Sequence, residues 1–304
     1  MTAIMIVPFA VTDGNLVSSN VPENDYPAWA APTSYAQGAR VISTATHLVY
    51  ESVSDGNIGN NPTVAANIPT HWLVVGSTNR WRAFDTSLGQ STTNVGDINY
   101  AIGVITRMDA VAFIGLVATS VRVVVRNPSG AVTYDQSTEL LDVSDITDWL
   151  DFVTFDGAFD NETVFENISA VAGSDLEITI STLNGIAEVS EVIAGKAEQL
   201  GIVLAGTRSG FTDYSRRVVD DFGNITIVKR PTARRAEWEI SFPTRANRRI
   251  QRALEEARGA PAFFYPGANM TDFYISVYGV ADDFFPVLQV GERTQATLSL
   301  TGAA

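Results

Sequence analysis

Two histidines, His47 and His71, are the only side chains of this 304-residue chain whose ordinary pKa suits general-base work near neutral pH, and it has no cysteine. The missing cysteines exclude a thiol nucleophile, a disulfide framework and a thiolate metal site. Two histidines are too few for a multi-histidine metal cage. A nucleophilic serine needs a base beside it, and neither histidine lies near a Gly-x-Ser-x-Gly elbow. His47 falls in an apolar, alternating stretch that reads as a strand, and His71 directly precedes Trp72. His-Glu-x-x-His, Walker A and Gly-x-Gly-x-x-Gly signatures are all missing. Both histidines are therefore expected to be structural.

Paired carboxylates can hydrolyse glycosides. With 34 acidic side chains, however, a pair within reach carries no information. Asp142, Asp145, Asp148 and Asp151 recur at three-residue spacing and offer oxygen ligands for weak Ca²⁺ binding, but without the ligand pattern of an EF-hand loop. A solvated acidic loop is the expectation there, and the Asn- and Gly-rich run at 55–61 reads as a cluster of turns. No catalytic residue, metal or cofactor is assigned, and the chain reads as a non-enzyme.

Tyr26, Trp29, Tyr35, Tyr50, Trp72 and Trp81 crowd into 56 residues. Flat rings flanked by polar groups stack on sugars, which makes Trp29, Tyr35, Tyr50, Trp72 and Trp81 candidate carbohydrate-binding residues. A small unit also needs large side chains to build any core, because its surface is large for its volume. Core or subunit contact is the competing reading.

Charge is split along the chain. The formal net charge is −14, which disfavours nucleic-acid binding. Residues 1–200 carry 7 basic and 23 acidic side chains, residues 201–304 carry 13 and 11, and no Lys or Arg lies between Asn127 and Gly195. Of the 20 basic residues 18 are arginine, the side chain best suited to bidentate interfacial contacts. Such halves could meet on neighbouring subunits. Arg216, Arg217, Arg234, Arg235, Arg245, Arg248, Arg249 and Arg252 are the candidate interface residues.

The elements that would position these residues are mostly strands. Residues 4–11 read as a first strand with Pro8 at a bulge or an edge. A loop or arm follows to residue 34. Residues 35–88 read as a small aromatic-rich β domain. Residues 89–205 read as a β-sandwich of jelly-roll type, built from strands at 98–126, 132–141, 176–182, 188–195 and 197–204, with a turn at 127–130. Residues 206–304 read as an α+β domain. It has a hairpin around 220–224, a strand at 235–242 with Trp238, Ile240 and Phe242 on one face, a helix over 244–258 closed by Gly259, and strands at 262–265, 273–280 and 289–300. The fold class expected is mainly β, with an antiparallel sheet and one long helix at the C-terminal end. The N-terminus lacks a basic leader region, and Ser120 and Arg122 break the longest apolar run, so neither a signal peptide nor a transmembrane segment is expected.

Tyr35-x-x-Gly38-x-Arg40-Val41, Tyr50-Glu51-Ser52, Asn61-Pro62 and Trp72 resemble the small chitin-binding-type carbohydrate-binding modules, whose exposed tyrosines and tryptophans stack on sugar. The string at 76–85 departs from those modules and is similar to one in tail proteins of tailed bacteriophages and prophages. The stretch 230–242, the helix region 245–258, Arg-Gly-x-Pro-x-x-Phe-Tyr at 258–265, the string at 273–284 and the closing 298–300 resemble the rear domain of the same phage proteins. The resemblance implies a virion structural protein, assembled in the host cytoplasm, near the distal end or tip of a tail. It implies a homo-oligomeric ring in contact with other tail proteins, with a host-surface glycan as a further partner. A stand-alone protein recognising chitin-like or cell-wall sugars is the alternative expectation, and a glycan-degrading enzyme a third.

Overall fold

The computed structural model describes residues 1–141, 147–154, 159–183, 185–219, 222–223, 225–267, 275–287 and 291–303. The first strands are β1 (Thr2–Pro8), β2 (Leu16–Ser19), β3 (Arg40–Ser43), β4 (Leu48–Ser52), β5 (Trp72–Ser77), β6 (Thr92–Val95) and β7 (Ile98–Gly103). The middle of the chain forms β8 (Ala110–Ile114), β9 (Ser120–Arg126), β10 (Val132–Glu139), a short helix α1 (Trp149–Thr154), β11 (Glu162–Phe165), β12 (Asp175–Ser181), β13 (Ile186–Val189) and β14 (Glu191–Val203). The rest forms β15 (Arg208–Asp213), β16 (Arg216–Val219), β17 (Ile225–Val228), β18 (Thr232–Pro243), α2 (Asn247–Glu256), β19 (Ala262–Tyr265), β20 (Val277–Val287) and β21 (Arg293–Gly302). The mainly β class with one longer C-terminal helix is as the sequence implies.

Alternation decides which faces are buried. In β7, β9 and β12 every second residue is apolar and buried: Ile98, Tyr100, Ile102; Val121, Val123, Val125; Leu176, Ile178, Ile180. These strands belong to a five-stranded sheet in the order β10-β9-β12-β7-β2. Their apolar face shares one core with Val111 and Phe113 of β8, Phe165 of β11, and Val192 and Ala194 of β14. Those last three strands open a nine-stranded sheet, β11-β8-β14-β1-β19-β20-β21-β18-β15. This is the sandwich. Each large side chain buried in it is worth ~1.5–3 kcal/mol of transfer free energy.

The far part of the nine-stranded sheet closes on itself. β14 also pairs with β18, through Ile202↔Ser241 and Val203↔Ile240, so β14, β1, β19, β20, β21 and β18 form a ring of six strands. Its interior holds Ala3, Met5, Leu200, Trp238, Ile240, Phe242, Phe264, Val277, Leu298 and Leu300, and α2 packs Ile250 and Ala253 onto that core. The expected single face of Trp238, Ile240 and Phe242 is this barrel interior. Gly201 permits the closure. Its φ is +151°, and a Cβ there would lie 2.8 Å from the Ser241 carbonyl oxygen.

Several expectations need correction. The first strand is not an edge strand: β1 lies between β14 and β19, and Pro8 ends it, because proline has no N–H to continue the ladder. The two strands expected at 188–195 and 197–204 are instead β13 and one thirteen-residue strand, β14. Gly195 reads as a breaker, but it sits where the Val7 carbonyl crosses so closely that no Cβ would fit. β14 runs from the sandwich core to the barrel core, and β1 comes from the expected N-terminal arm. The sheets therefore do not divide the chain at 34/35 or 205/206. The helix region begins as a 3₁₀ turn, Thr244–Ala246, and α2 ends at Glu256, with Gly259 at φ +87° beyond it. Parts of the strings at 220–224, 273–280 and 289–300, together with Asp142 and Asp145, lie outside the described residues.

The small unit is a three-stranded sheet, β3-β4-β5, built around Val41, Tyr50 and Trp72. The preceding arm clasps it. Glu23 Oε1 accepts a hydrogen bond from Thr78 Oγ1 at 2.8 Å, and Asp25 accepts from the Asn79 backbone N–H at 3.1 Å and from Arg82 Nη2 at 2.8 Å.

Candidate functional site

The aromatic set is largely core. Trp72 is fully buried and donates from Nε1 to the Asn60 carbonyl at 2.8 Å. Tyr50 is buried, with its hydroxyl 2.9 Å from Thr46 Oγ1. Trp81 is 8% exposed and stacks on the His47 ring at 4.2 Å. Tyr50, Trp72 and Trp81 thus offer no free face to a sugar, which corrects their assignment as carbohydrate-binding residues. Trp29 and Tyr35 are half-buried against the same small core, Tyr35 meeting Trp72 edge-on at 5.3 Å. The reason is size: a three-stranded unit can exclude water only with its largest side chains.

His47 lies in the turn between β3 and β4, at φ +55°, and not in a strand. Its Nδ1 meets Glu23 Oε1 at 2.9 Å and its Nε2 meets Asp13 Oδ2 at 3.0 Å. Burial opposes charging the ring, but its hydrogen bonds to Asp13 and Glu23 outweigh it, so its pKa lies above the ordinary value. Both ring nitrogens are engaged in holding the arm, and no serine is among these partners. His71 uses its backbone carbonyl, which accepts from Val53 N and Asn57 Nδ2.

A carboxyl group that sequence reasoning missed is Glu191, at the start of β14. It is 3% exposed and lies beside the hydroxyl of buried Tyr278. Burial pushes the Glu191 carboxyl up to about 9, and the nearby charge of Asp85 adds to the shift. Glu191 is a neutral acid at pH 7. Burial keeps it from any polymeric substrate. The only sequence signal was a lone acid in an otherwise buried strand, Val-Ser-Glu-Val-Ile-Ala. Asp148 is exposed and accepts from the Leu150 N–H at the start of α1. Among the described residues no group of three or more His, Asp or Glu side chains is placed to hold a metal ion, and no helix is long and apolar enough to cross a membrane.

The eight arginines divide into two kinds. Arg234 and Arg249 are engaged internally. Arg234 Nη1 lies 2.8 Å from Glu162 Oε2 and 3.0 Å from Ser276 Oγ, while Arg249 bridges Glu198 and the Gln199 carbonyl, each at 2.6 Å. Those two brace the molecule internally. Arg216, Arg217, Arg235, Arg245, Arg248 and Arg252 are exposed, and none makes an ion pair among the described residues. On α2 the arginines oppose local stability. Arg248 and Arg249 occupy the first turn and Glu255 and Glu256 the last residues, the reverse of what the helix dipole favours.

The strands beside these arginines carry exposed apolar side chains, which sequence reasoning did not single out. Phe211 on edge strand β15 is 74% exposed, and Phe222, in the turn of the β16–β17 hairpin, is 91% exposed. Tyr214, Val218, Ile225, Ile227 and Val228 are also exposed. β16 and β17 form a sheet of their own, paired as Arg216↔Val228, Arg217↔Ile227, Val218↔Thr226 and Val219↔Ile225. The signal was a run of β-branched residues amid arginines. Monomers seldom expose apolar side chains so densely, and isolated two-stranded ribbons are marginal in water. No protein-family model matches this chain, and no curated protein sequence matches it.

Proposed function

We propose that the protein is a non-enzymatic structural subunit of a bacteriophage tail, near its distal end or tip, which assembles into a ring. The observation that carries the assembly reading is the group of six exposed arginines that make no ion pair among the described residues, set against the 7 basic and 23 acidic residues of positions 1–200. A heterologous contact between unlike surfaces closes into a ring when its rotation closes. Placement in a virion, with assembly in the host cytoplasm and other tail proteins as neighbours, rests on the resemblance of 76–85 and of stretches between 230 and 300 to phage tail proteins. Burial of Tyr50, Trp72 and Trp81 leaves Trp29 and Tyr35 as the only rings of the proposed sugar set with partial exposure, so a host glycan is the weaker part of the reading. Electron micrographs of the purified protein, with the particle mass, test the proposal. Closed rings of uniform subunit number are expected, and a monomer at every concentration would overturn it.

A further inference from the structure

We infer that the β16–β17 hairpin, with the neighbouring edge strand β15, is the arm by which one copy of this chain docks onto the acid-rich part of a second copy. This deepens the assembly reading above and rests on it for self-association, but not for placement in a virion.

Among the described residues no element packs over the hairpin. Cross-strand pairing puts Arg217, Ile227 and Ile225 on one face, and puts Arg216, Val218, Thr226 and Val228 on the other. Apolar side chains therefore occur on both faces. Ile225 is 51% and Ile227 66% exposed, and Phe222 projects from the turn. Natural proteins protect hydrophobic edges with short strands, charges or a covering element. Here the charges are present, but the covering element is not found among the described residues. The edge continues along the chain into β15, where Phe211 stands out into solvent.

Charge identifies the occupant. Residues 208–235 hold seven basic and three acidic side chains, which calls for an acidic partner surface. The chain itself supplies one, since residues 1–200 hold the whole acidic surplus and the stretch from Asn127 to Gly195 has no basic residue to neutralise it. Among the described residues Arg216 and Arg217 pair with none of those acids. A second copy offers both the acidic surface and apolar cover, and the contact is heterologous, arm to body.

The test uses the full chain. Sedimentation velocity would compare the wild type with Phe222→Ser combined with Ile225→Thr and Ile227→Thr, and with Arg216→Glu combined with Arg217→Glu. All five side chains are exposed, and threonine keeps the β-preference, so circular dichroism and the thermal midpoint of the unassociated protein should stay as in wild type. Self-association should weaken by about tenfold or more in each variant, as for loss of central interface residues, and wild-type association should weaken as salt is raised. The chain has no cysteine, so Thr226→Cys can carry a single thiol-linked photo-crosslinker. Cross-links between copies should map to residues 1–200. Association at wild-type strength in both variants, or cross-links confined to the C-terminal third, would overturn the arm while leaving the assembly reading in place. A wild type that is monomeric throughout would overturn both.

Discussion

At the residue scale the most unusual group is Glu191. A carboxyl that keeps its proton up to about pH 9 when folded, but loses it near 4.5 when unfolded, makes the folded state the better proton binder between those values. Stability must then fall as pH rises through that window, by up to ~1.4 kcal/mol per pH unit for one such group. Glu191→Gln keeps the shape and cannot titrate. Its thermal midpoint should match wild type near pH 4.5 and exceed it by a growing margin toward pH 8. A difference that stayed flat between pH 5 and pH 8 would refute the assignment. Sequence could not locate this group, because what distinguishes Glu191 from the other described acids is its burial beside Asp85 and Tyr278, a property of three distant segments. The aromatic residues show the converse. Their crowding was plain in the sequence, but whether a ring faces a sugar or a core depends on which strands close over it.

At the element scale the strands were legible because alternation is a local property, whereas their partners were not. Trp238, Ile240 and Phe242 share one face by period two alone. That this face looks into a closed ring depends on β14 reaching β18, some forty residues away along the chain, at Ile202↔Ser241. Gly201 sits at that crossing. A side chain there would take a strained backbone region and press on the Ser241 carbonyl, so Gly201→Val should cost at least ~2 kcal/mol. Gly210, on edge strand β15, has open space around its Cβ direction and an ordinary φ. Gly210→Ala should therefore leave stability within ~0.5 kcal/mol of wild type. Equal losses at the two positions in chemical denaturation would show that the closure does not hold the barrel together.

At the scale of the whole molecule, chain order and fold diverge. Composition changes near residue 200, where the acid surplus ends, and that change read as a domain boundary. The barrel ignores it. Two of its six ring strands, β1 and β14, come from before residue 206, and they supply Ala3, Met5 and Leu200 to its core. A fragment of residues 206–304 lacks both, leaving β18 and β19 with unpaired edges and the interior open to water beside Trp238 and Phe264. Such an open sheet cannot bury enough apolar surface to offset the conformational entropy lost on folding. The fragment alone should therefore show no cooperative thermal transition and poor dispersion in its amide spectrum. Adding residues 1–205 in trans should restore both if the missing strands are the cause. A cooperatively folded fragment would instead return the boundary to the place where the charge changes.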